Sequence, residues 1–360
     1  MKKNLSGIVL AILLIIVILI LSYKLYFNTG SFKSTISNSN DKSNLQFNVE
    51  ILVQNLDTPW AIDFLPSGEM VFTEREGKVN LWNGNDVRVI GEIEVSEISE
   101  SGLAGIAVDP DFETNGFVYV YYTHNKGNRV SRFILENNIL KSEFILLDEI
   151  PSAQFHDGGR IKFGPDGKLY VTTGDATNPS SAQDINSLSG KILRMNKDGS
   201  IPEDNPFDNY VYSYGHRNPQ GIAWNNKGIL FASEHGPTQN DEINKIEKGN
   251  NYGWPVECEK QAGIDDVKPV RCYTEFTLAP SGIAFYKSDL YVTGLRGAQV
   301  RRIVFNDEHS EILKEKVLFS GLGRIREVVE HDGYLYFATS NKDGRGIPKE
   351  GDDKIIRVKL

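Results

Sequence analysis

The feature that most constrains the fold is a short hairpin pattern that recurs six times along the chain. Each unit has an apolar run, a polar turn and a second apolar run, which is typical of two β-strands joined by a tight connection. The starts of successive units lie about 43 to 61 residues apart. The six units are Trp60–Thr73, Leu103–Tyr122, Arg160–Thr173, Gly221–Ser233, Gly282–Thr293 and Arg326–Thr339.

A third run follows each unit, and a fourth often precedes the next unit, as in Val87–Val95 and Lys316–Phe319. The third runs are Lys78–Trp82, Asn128–Ile134, Lys191–Met195, Glu242–Ile246, Gln299–Val304 and Lys354–Val358. Four short strands per unit, repeated six times, predict an all-β fold, a six-bladed β-propeller with four-stranded blades. A pair of β-sandwiches is the alternative, but the similarity of the six units argues against it.

The last unit has no fourth run because the chain ends at Leu360, whereas Phe47–Gln54 is an apolar run that precedes the first unit. We therefore predict that this segment completes the last blade and closes the ring, which removes exposed sheet edges. On this interpretation residues 47–360 form the propeller domain.

The N-terminus carries a segment of a different kind. Asn4 to Tyr23 contains no charged residue, Lys2 and Lys3 precede it, and a run of about 20 residues is long enough to span a bilayer. No small-residue cleavage site follows, so the pattern favours an uncleaved signal anchor, a transmembrane helix over residues 1–27. A buried core helix is the alternative, but the segment has no polar face.

Residues 28–46 are rich in Asn, Ser, Thr and Lys and read as a flexible linker. Because lysines precede the anchor, we expect the N-terminus inside and the rest outside, so the protein would be membrane-anchored with an extracytoplasmic domain. Cys258 and Cys272 could pair in such a compartment or remain as two thiols. The net charge of −9 argues against nucleic acid as a partner.

Candidate chemistry lies in loops that a propeller brings together on one face, before the first strand and after the second strand of each blade. His156 is the best candidate base, because an unperturbed imidazole titrates near neutral pH. Arginine forks match carboxylates or phosphates. Four arginines in such loops form a candidate anion site, although each taken singly is also compatible with an ordinary surface residue: Arg217, Arg296, Arg324 and Arg326.

The stretch Ser233–Trp254 offers oxygen ligands that suit Ca²⁺. The Gly236-Pro237 pair can leave carbonyl oxygens unpaired, and Asp241 and Glu242 supply carboxylates. The spacing differs from that of an EF-hand, and a polar surface loop is the alternative.

Several segments together resemble the soluble pyrroloquinoline quinone (PQQ) dehydrogenases of the glucose/sorbosone dehydrogenase family, in particular the aldose sugar dehydrogenase branch. The resemblance covers Trp60 to the C-terminus, and the family fold is a six-bladed propeller. The matching segments are GLAGIAVDPDF, HDGGRIKFGPDGKLYVTTGD, GHRNPQG, SEHGPTQNDEIN, NNYGWP and GRIREV.

The resemblance implies roles position by position. His156 matches the base that takes the proton of the sugar hydroxyl. Arg217 and Asn218 match residues that contact the quinone oxygens, and Arg217 would also stabilise negative charge there. Arg324 and Arg326 match the pair that binds the carboxylates of PQQ.

Metal ligands follow in the same way. Gly236 and Pro237 match the main-chain ligands of the Ca²⁺ that polarises PQQ, and Glu242 and Tyr252 match a second, structural Ca²⁺ site. Arg296 stands where the family usually has Lys and is expected to contact the cofactor.

Two further positions bear on the substrate. Glu100 falls where a substrate-contacting Gln or Glu is found. Phe155 replaces an acidic residue that precedes the base in the glucose enzymes, which favours use of a broader range of aldoses. His235, expected among the cofactor-binding residues, stands where those enzymes have Gln and points to the same branch.

The implied reaction is oxidation of an aldose at the anomeric carbon to a lactone, with electrons passed to an external acceptor. No haem-attachment CxxCH motif occurs in the sequence. Two rival hypotheses are a Ca²⁺-dependent propeller lactonase and a non-enzymatic extracellular binding propeller. The lactonase would need no quinone, and the binding propeller should tolerate loss of His156.

Overall fold

The structure is a computed structural model that describes residues 48–260 and 266–360. The predicted anchor (1–27), the predicted linker (28–46) and Phe47 lie outside the described residues. Within the described ranges, no helix is long and apolar enough to cross a membrane.

The described chain folds into six antiparallel sheets of four strands, numbered as blades in chain order. Blades 1 to 3 consist of β2 (Pro59–Phe64), β3 (Met70–Glu74), β4 (Lys78–Trp82) and β5 (Val87–Glu92); β6 (Leu103–Val108), β7 (Phe117–His124), β8 (Gly127–Glu136) and β9 (Ile139–Ile150); and β10 (Ile161–Phe163), β11 (Leu169–Thr173), β12 (Lys191–Met195) and β13 (Val211–Tyr214). Blades 4 to 6 consist of β14 (Pro219–Trp224), β15 (Leu230–Glu234), β16 (Asp241–Ile246) and β17 (Arg271–Tyr273); β18 (Pro280–Tyr286), β19 (Asp289–Gly294), β20 (Gln299–Phe305) and β21 (Ile312–Ser320); and β22 (Ile325–His331), β23 (Tyr334–Thr339), β24 (Ile355–Lys359) and β1 (Asn48–Val53).

Helical structure in the described residues is short. One turn of α-helix spans Phe112–Asn115, and two 3₁₀-helices span Pro179–Gln183 and Cys258–Lys260. The prediction of an all-β, six-bladed propeller with four-stranded blades is therefore confirmed. Cys258 and Cys272, for which the sequence left pairing and two thiols as alternatives, form a disulfide bond with Cα atoms 6.2 Å apart.

The ring is closed by the first and last strands of the domain. Strand β1 pairs antiparallel with β24, with Val49 opposite Val358 and Ile51 opposite Ile356. A salt bridge from Arg357 to Glu50, 2.8 Å long, joins the same two strands. The prediction that an N-terminal segment completes the last blade is confirmed for Asn48–Val53.

The core lies between adjacent blades, since each sheet packs its two faces against two neighbours. Strand β3 is buried along its whole length, including its polar residues Thr73 and Glu74. Between blades 4 and 5, Phe231 contacts Phe285 and Phe305 with ring centroids 5.4 and 5.3 Å apart. This packing fixes the inner strands, and the loops before them and after the second strands meet at one end of the ring.

Candidate active site

A pocket of about 500 Å³ lies where these loops meet. Five of the six blades contribute to it, which confirms that the propeller brings the predicted loops together. Most of the predicted site residues line this pocket, and other residues join them. The complete lining is Glu100, Phe155, His156, Arg217, His235, Gly236, Pro237, Asp241, Thr277, Ala279, Leu295, Arg296, Arg324 and Arg345.

His156 lies in the loop before β10 and is held on two sides. Its backbone is in the left-handed region, with φ of 66°, and its N–H donates to Oε2 of Glu100 at 3.0 Å. Its Nδ1 lies 2.7 Å from Oδ1 of Asp175, whose side chain is fully buried. A carboxylate only accepts hydrogen bonds, so the imidazole carries its proton on Nδ1 and keeps the lone pair on Nε2. No described residue bonds to Nε2, which leaves it available as a base.

Asp175 is a site residue that sequence reasoning missed. It follows β11, and β10 and β11 form a hairpin in which Ile161 pairs with Val171, so the residues that flank the hairpin meet. The signal was present, because both His156 and Asp175 belong to one matching segment. The second oxygen of Asp175 accepts the indole N–H of Trp254 at 2.8 Å, a contact 79 residues away in sequence.

Glu100 uses both carboxylate oxygens within the protein. Oε1 pairs with Arg345 at 2.8 Å, and Oε2 accepts from the backbone of His156 and from the amide of Asn218 at 3.3 Å. Burial opposes ionisation of this group, but the charge that His235 carries when it is protonated at low pH, the Arg345 guanidinium and the His156 N–H outweigh it and lower the pKa of Glu100 to about 2. Glu100 is thus ionised at neutral pH, and its hydrogen bonds hold the His156 loop in place.

Asn218 and Asp157 also hold the His156 loop through hydrogen bonds to its backbone. Asn218 is fully buried and is absent from the pocket lining; its Oδ1 accepts from the Gly158 N–H at 3.1 Å. Oδ1 of Asp157 accepts from the Ala153 N–H at 3.0 Å, and burial raises the pKa of Asp157 to about 6. Asn218 thus bonds to the pocket-lining Glu100 without lining the pocket itself, and its contact with the quinone stays a prediction.

Arg217 and His235 line the same pocket as Glu100. The guanidinium of Arg217 donates to the carbonyl of His235 at 3.2 Å and faces the ring of Trp254 at 5.3 Å. Burial, reinforced by the positive charges of Arg326 and Arg217, lowers the pKa of His235 to about 3. His235 is consequently a neutral imidazole at neutral pH, available for hydrogen bonding.

The other predicted cations differ in their surroundings. Arg324 is paired with Asp343, with nitrogen-to-oxygen distances of 2.7 and 2.8 Å. Arg326 is buried and does not line the pocket; it donates to Oε1 of Gln220 at 2.7 Å. Burial lowers its pKa to about 9, so it is protonated at neutral pH. Arg296 is exposed at the rim and makes no ion pair with a described residue.

Gly236 and Pro237, the predicted main-chain ligands of a metal ion, both line the pocket. Among the described residues, none donates a hydrogen bond to either carbonyl. The segment is fixed by Asp241, whose Oδ1 accepts the Gly236 N–H at 3.0 Å. A Cβ at position 236 would lie 2.0 Å from the carbonyl oxygen of Gln239, so a larger residue would displace this turn.

Glu242 and Tyr252 lie apart from the main pocket, around a small neighbouring cavity of about 10 Å³ that Glu234 also lines. Burial and the nearby Glu234 raise the pKa of Glu242 well above its usual range. Tyr252 stacks on His216 with ring centroids 4.7 Å apart, and Nδ1 of His216 bonds to Glu234 at 2.9 Å. Glu234 and Glu242, whose carboxylates both accept from the amide of Asn244, are suited to hold a cation between them.

The described residues contain no group of three or more His, Cys, Asp or Glu side chains able to hold a metal ion. A cation at either place would therefore depend largely on main-chain or cofactor oxygens. Around the main pocket, three buried nitrogens lack a hydrogen-bond partner among described residues: Nε of Arg217, Nε2 of His235 and Nε of Arg326. The two arginine Nε–H groups are buried donors, and such donors suit a bound acidic molecule.

Comparisons with known proteins agree with this geometry. A family model described as glucose/sorbosone dehydrogenase matches residues 56–352. The chain is 32% identical over 342 residues to the aldose sugar dehydrogenase YliI of Escherichia coli (strain K12), covering 82% of this chain and 91% of the relative. It is 35% identical over 250 residues to quinoprotein glucose dehydrogenase B of Acinetobacter calcoaceticus, covering 58% and 52%.

A solved structure gives the same result at the level of the fold. The PQQ-bound form of an aldose sugar dehydrogenase from Streptomyces coelicolor superposes with a TM-score of 0.83 and 37% sequence identity. The match covers 86% of this chain and 97% of that structure.

Proposed function

Because the chain belongs to the glucose/sorbosone dehydrogenase family, we propose that it is a PQQ- and Ca²⁺-dependent dehydrogenase that oxidises aldose sugars to lactones. Electrons would then pass to an external acceptor. The observation that carries the proposal is the His156–Asp175 pair, a base with a fixed tautomer, in the wall of a pocket near which two buried arginines, Arg217 and Arg326, each keep an unpartnered Nε–H.

The cofactor fits the residues present. PQQ is an acidic quinone that, when bound, accepts the two electrons that leave the anomeric carbon of the sugar. Arg217, Arg324 and Arg326 would hold its carboxylates and oxygens, and the free Nε atoms of Arg217 and Arg326 support this assignment. The free carbonyls of Gly236 and Pro237 suit Ca²⁺, which prefers oxygen ligands.

A second Ca²⁺ is proposed at Glu242 and Tyr252. Glu242 and Glu234 are both buried, and buried carboxylates need compensating positive charge. A cation there would keep both groups ionised and would tie β16 to the Tyr252 loop.

The proton step depends on residues of this chain alone. Nε2 of His156 takes the proton of the anomeric hydroxyl, and the buried carboxylate of Asp175 stabilises the resulting imidazolium. Glu100 and Arg345 hold the loop of His156 in place while the proton moves. Arg217 keeps a positive charge in the pocket, where it would stabilise negative charge on a bound anion.

The substrate class follows from the pocket mouth. Phe155 is 37% exposed there and offers an apolar ring in place of a carboxylate. Both carboxylate oxygens of Glu100 already accept hydrogen bonds, from His156 and from Arg345, which limits their ability to accept another from a sugar hydroxyl. Both features support acceptance of several aldoses rather than glucose alone.

We also propose that the protein is membrane-anchored through residues 1–27, with its catalytic domain outside the cytoplasm. The uncharged N-terminal run supports the anchor. The disulfide between Cys258 and Cys272 is consistent with an oxidising compartment.

The decisive experiment is reconstitution of purified apo-protein with PQQ, with Ca²⁺ and with both, followed by dye reduction in the presence of aldoses. We expect oxidation only when both are added, and loss of activity after chelation. Lactone hydrolysis that needs Ca²⁺ alone would favour the lactonase, in which the arginines would have no anion to bind. Sugar binding without turnover under every condition would favour a binding propeller.

A further inference from the structure

We propose that Trp254 is a positioning residue for the base, because its indole N–H fixes the carboxylate of Asp175 that in turn orients His156. The inference rests on the proposed function, since it assigns a task within the same site. Trp254 belongs to the matching segment NNYGWP, in which only Tyr252 received a role from the sequence.

The three side chains form a continuous chain of hydrogen bonds. Trp254 donates to Oδ2 of Asp175 at 2.8 Å, and Oδ1 of Asp175 lies 2.7 Å from Nδ1 of His156. The N–H of Thr177 also donates to Oδ1 at 2.8 Å. With donors on both oxygens, the carboxylate cannot rotate without losing a hydrogen bond in a fully buried place.

Trp254 is itself held by the surrounding backbone. Its N–H donates to the carbonyl of Gly215 at 2.9 Å, and its carbonyl accepts from Gln183 at 2.6 Å. Its ring faces the guanidinium of Arg217 at 5.3 Å. One side chain therefore touches both the support of the base and a proposed cofactor-binding cation.

Several other charged or titratable groups surround His156, and they remain in place when Trp254 is changed. They are Asp175, Glu100, Asp157, His235, Arg217 and Arg345. Loss of the indole N–H removes one hydrogen bond to the Asp175 carboxylate, which becomes more basic. A more basic carboxylate stabilises the imidazolium form of His156 and so raises the pKa of His156. The imidazole then becomes protonated, and stops acting as a base, at a higher pH than in the parent.

The test compares Trp254→Phe with Trp224→Phe in the full chain loaded with PQQ and Ca²⁺. Phenylalanine keeps an aromatic ring beside Arg217 but has no N–H. Trp224 is a matched control because it lines a pocket bounded by Lys162 and Phe285, whose lining shares no residue with the active-site pocket.

For Trp254→Phe we expect the acid limb of the pH–rate profile to move up by roughly 0.5–1 pH unit, as loss of part of a charge-assisted hydrogen bond implies. At a pH on that limb, kcat should fall about 3- to 10-fold for the same shift, with the sugar KM and PQQ titration little changed.

A second readout needs no activity. With ¹⁵N-labelled histidine, the NMR titration midpoint of His156 in apo-protein should move in the same direction in Trp254→Phe and stay at the parent value in Trp224→Phe. Coinciding midpoints for parent and Trp254→Phe would overturn the inference, as would equal shifts in both variants. If the parent oxidises no sugar, the proposed function fails, and the NMR titration still decides the role of Trp254.

A third measurement covers failure of Trp254→Phe to fold. In Asp175→Asn the indole N–H of Trp254 faces an amide instead of a carboxylate, so its ¹H–¹⁵N resonance should move upfield from the parent position. A resonance that stays in place would show that the indole does not bond to Asp175 and would overturn the inference.

Discussion

His156 combines an unfavourable backbone with a favourable set of contacts. A non-glycine residue in the left-handed region costs roughly 1–3 kcal/mol, and such residues persist where surrounding contacts determine the conformation. Here the contacts are the Glu100 carboxylate on the backbone N–H and the Asp175 carboxylate on the ring. The backbone angle aims the imidazole at the pocket, so the strain is tied to the position of the base.

Removal of this imidazole provides the prediction at the residue scale. His156→Ala should lower turnover by about 10²–10⁴-fold, as loss of a general base does, while PQQ binding changes far less. His156→Gln preserves a hydrogen bond but cannot take the proton, so it should be nearly as slow. The measurement is steady-state dye reduction with an aldose and saturating PQQ and Ca²⁺.

A suitable control is His331→Gln, because His331 stacks on Phe64 at 3.8 Å and does not line the active-site pocket. It should keep the turnover of the parent. If His156→Ala also retains most of the parent turnover, the base lies elsewhere and His235 becomes the next residue to change.

The sequence predicted the residues that line the pocket better than the residues that support them. His156 and the arginines stand out because they interrupt a repeat. Trp254 and Arg345 reach the site from positions 79 residues after Asp175 and 245 residues after Glu100, and no local pattern reports contacts of that range. Asn218, which the resemblance expects to contact the quinone, does not line the pocket and bonds instead to Gly158 and to the pocket-lining Glu100.

Strands form the next scale, and the closing strand is the one whose loss should matter most. Val49 is 8% exposed and packs in the apolar cluster of the last two blades, whereas Ile51 on the same strand is 44% exposed. Val49→Asp should therefore lower the free energy of unfolding by about 2–4 kcal/mol, since it buries a carboxylate without a partner. Ile51→Asp should change it by less than about 0.5 kcal/mol, as expected for an exposed site.

Chemical denaturation of both variants, followed by circular dichroism, measures the difference. The two substitutions introduce the same charge into the same strand, so they separate burial from charge. Equal destabilisation would contradict the view that β1 closes the ring by packing.

The second strands of several blades were predictable because they are buried along their whole length, as in β3, β11 and β15. Several outer strands were not. Strand β17 has three residues, and β9 exposes most of its first seven, so neither carries a regular apolar pattern. The exposed face of an outer strand places little demand on sequence, and the signal is weak for that reason.

At the scale of the whole molecule, the fold class followed from six similar units, since no other common architecture uses four short strands at that spacing. The N-terminal anchor remains a prediction. Removal of residues 1–27 should convert a membrane-bound protein into one recovered in the soluble fraction, with the same specific activity after addition of PQQ and Ca²⁺.

Fractionation of cells that express the full-length and shortened chains, with activity assays on each fraction, tests this. Deletion of residues 28–43 with the anchor retained is the control, and that protein should stay with the membrane. Recovery of the shortened protein in the membrane fraction would contradict anchoring by this segment.

The pairing of β1 with β24 also bears on how the protein is made. Glu50 and Arg357, which bond across these strands, are separated by 307 residues. At a synthesis rate of roughly 5–20 residues per second, the first strand waits on the order of 15–60 s for its partner. Throughout that interval the growing chain carries an unpaired strand. A chaperone that shields this strand would therefore act on the nascent chain, before the ring closes.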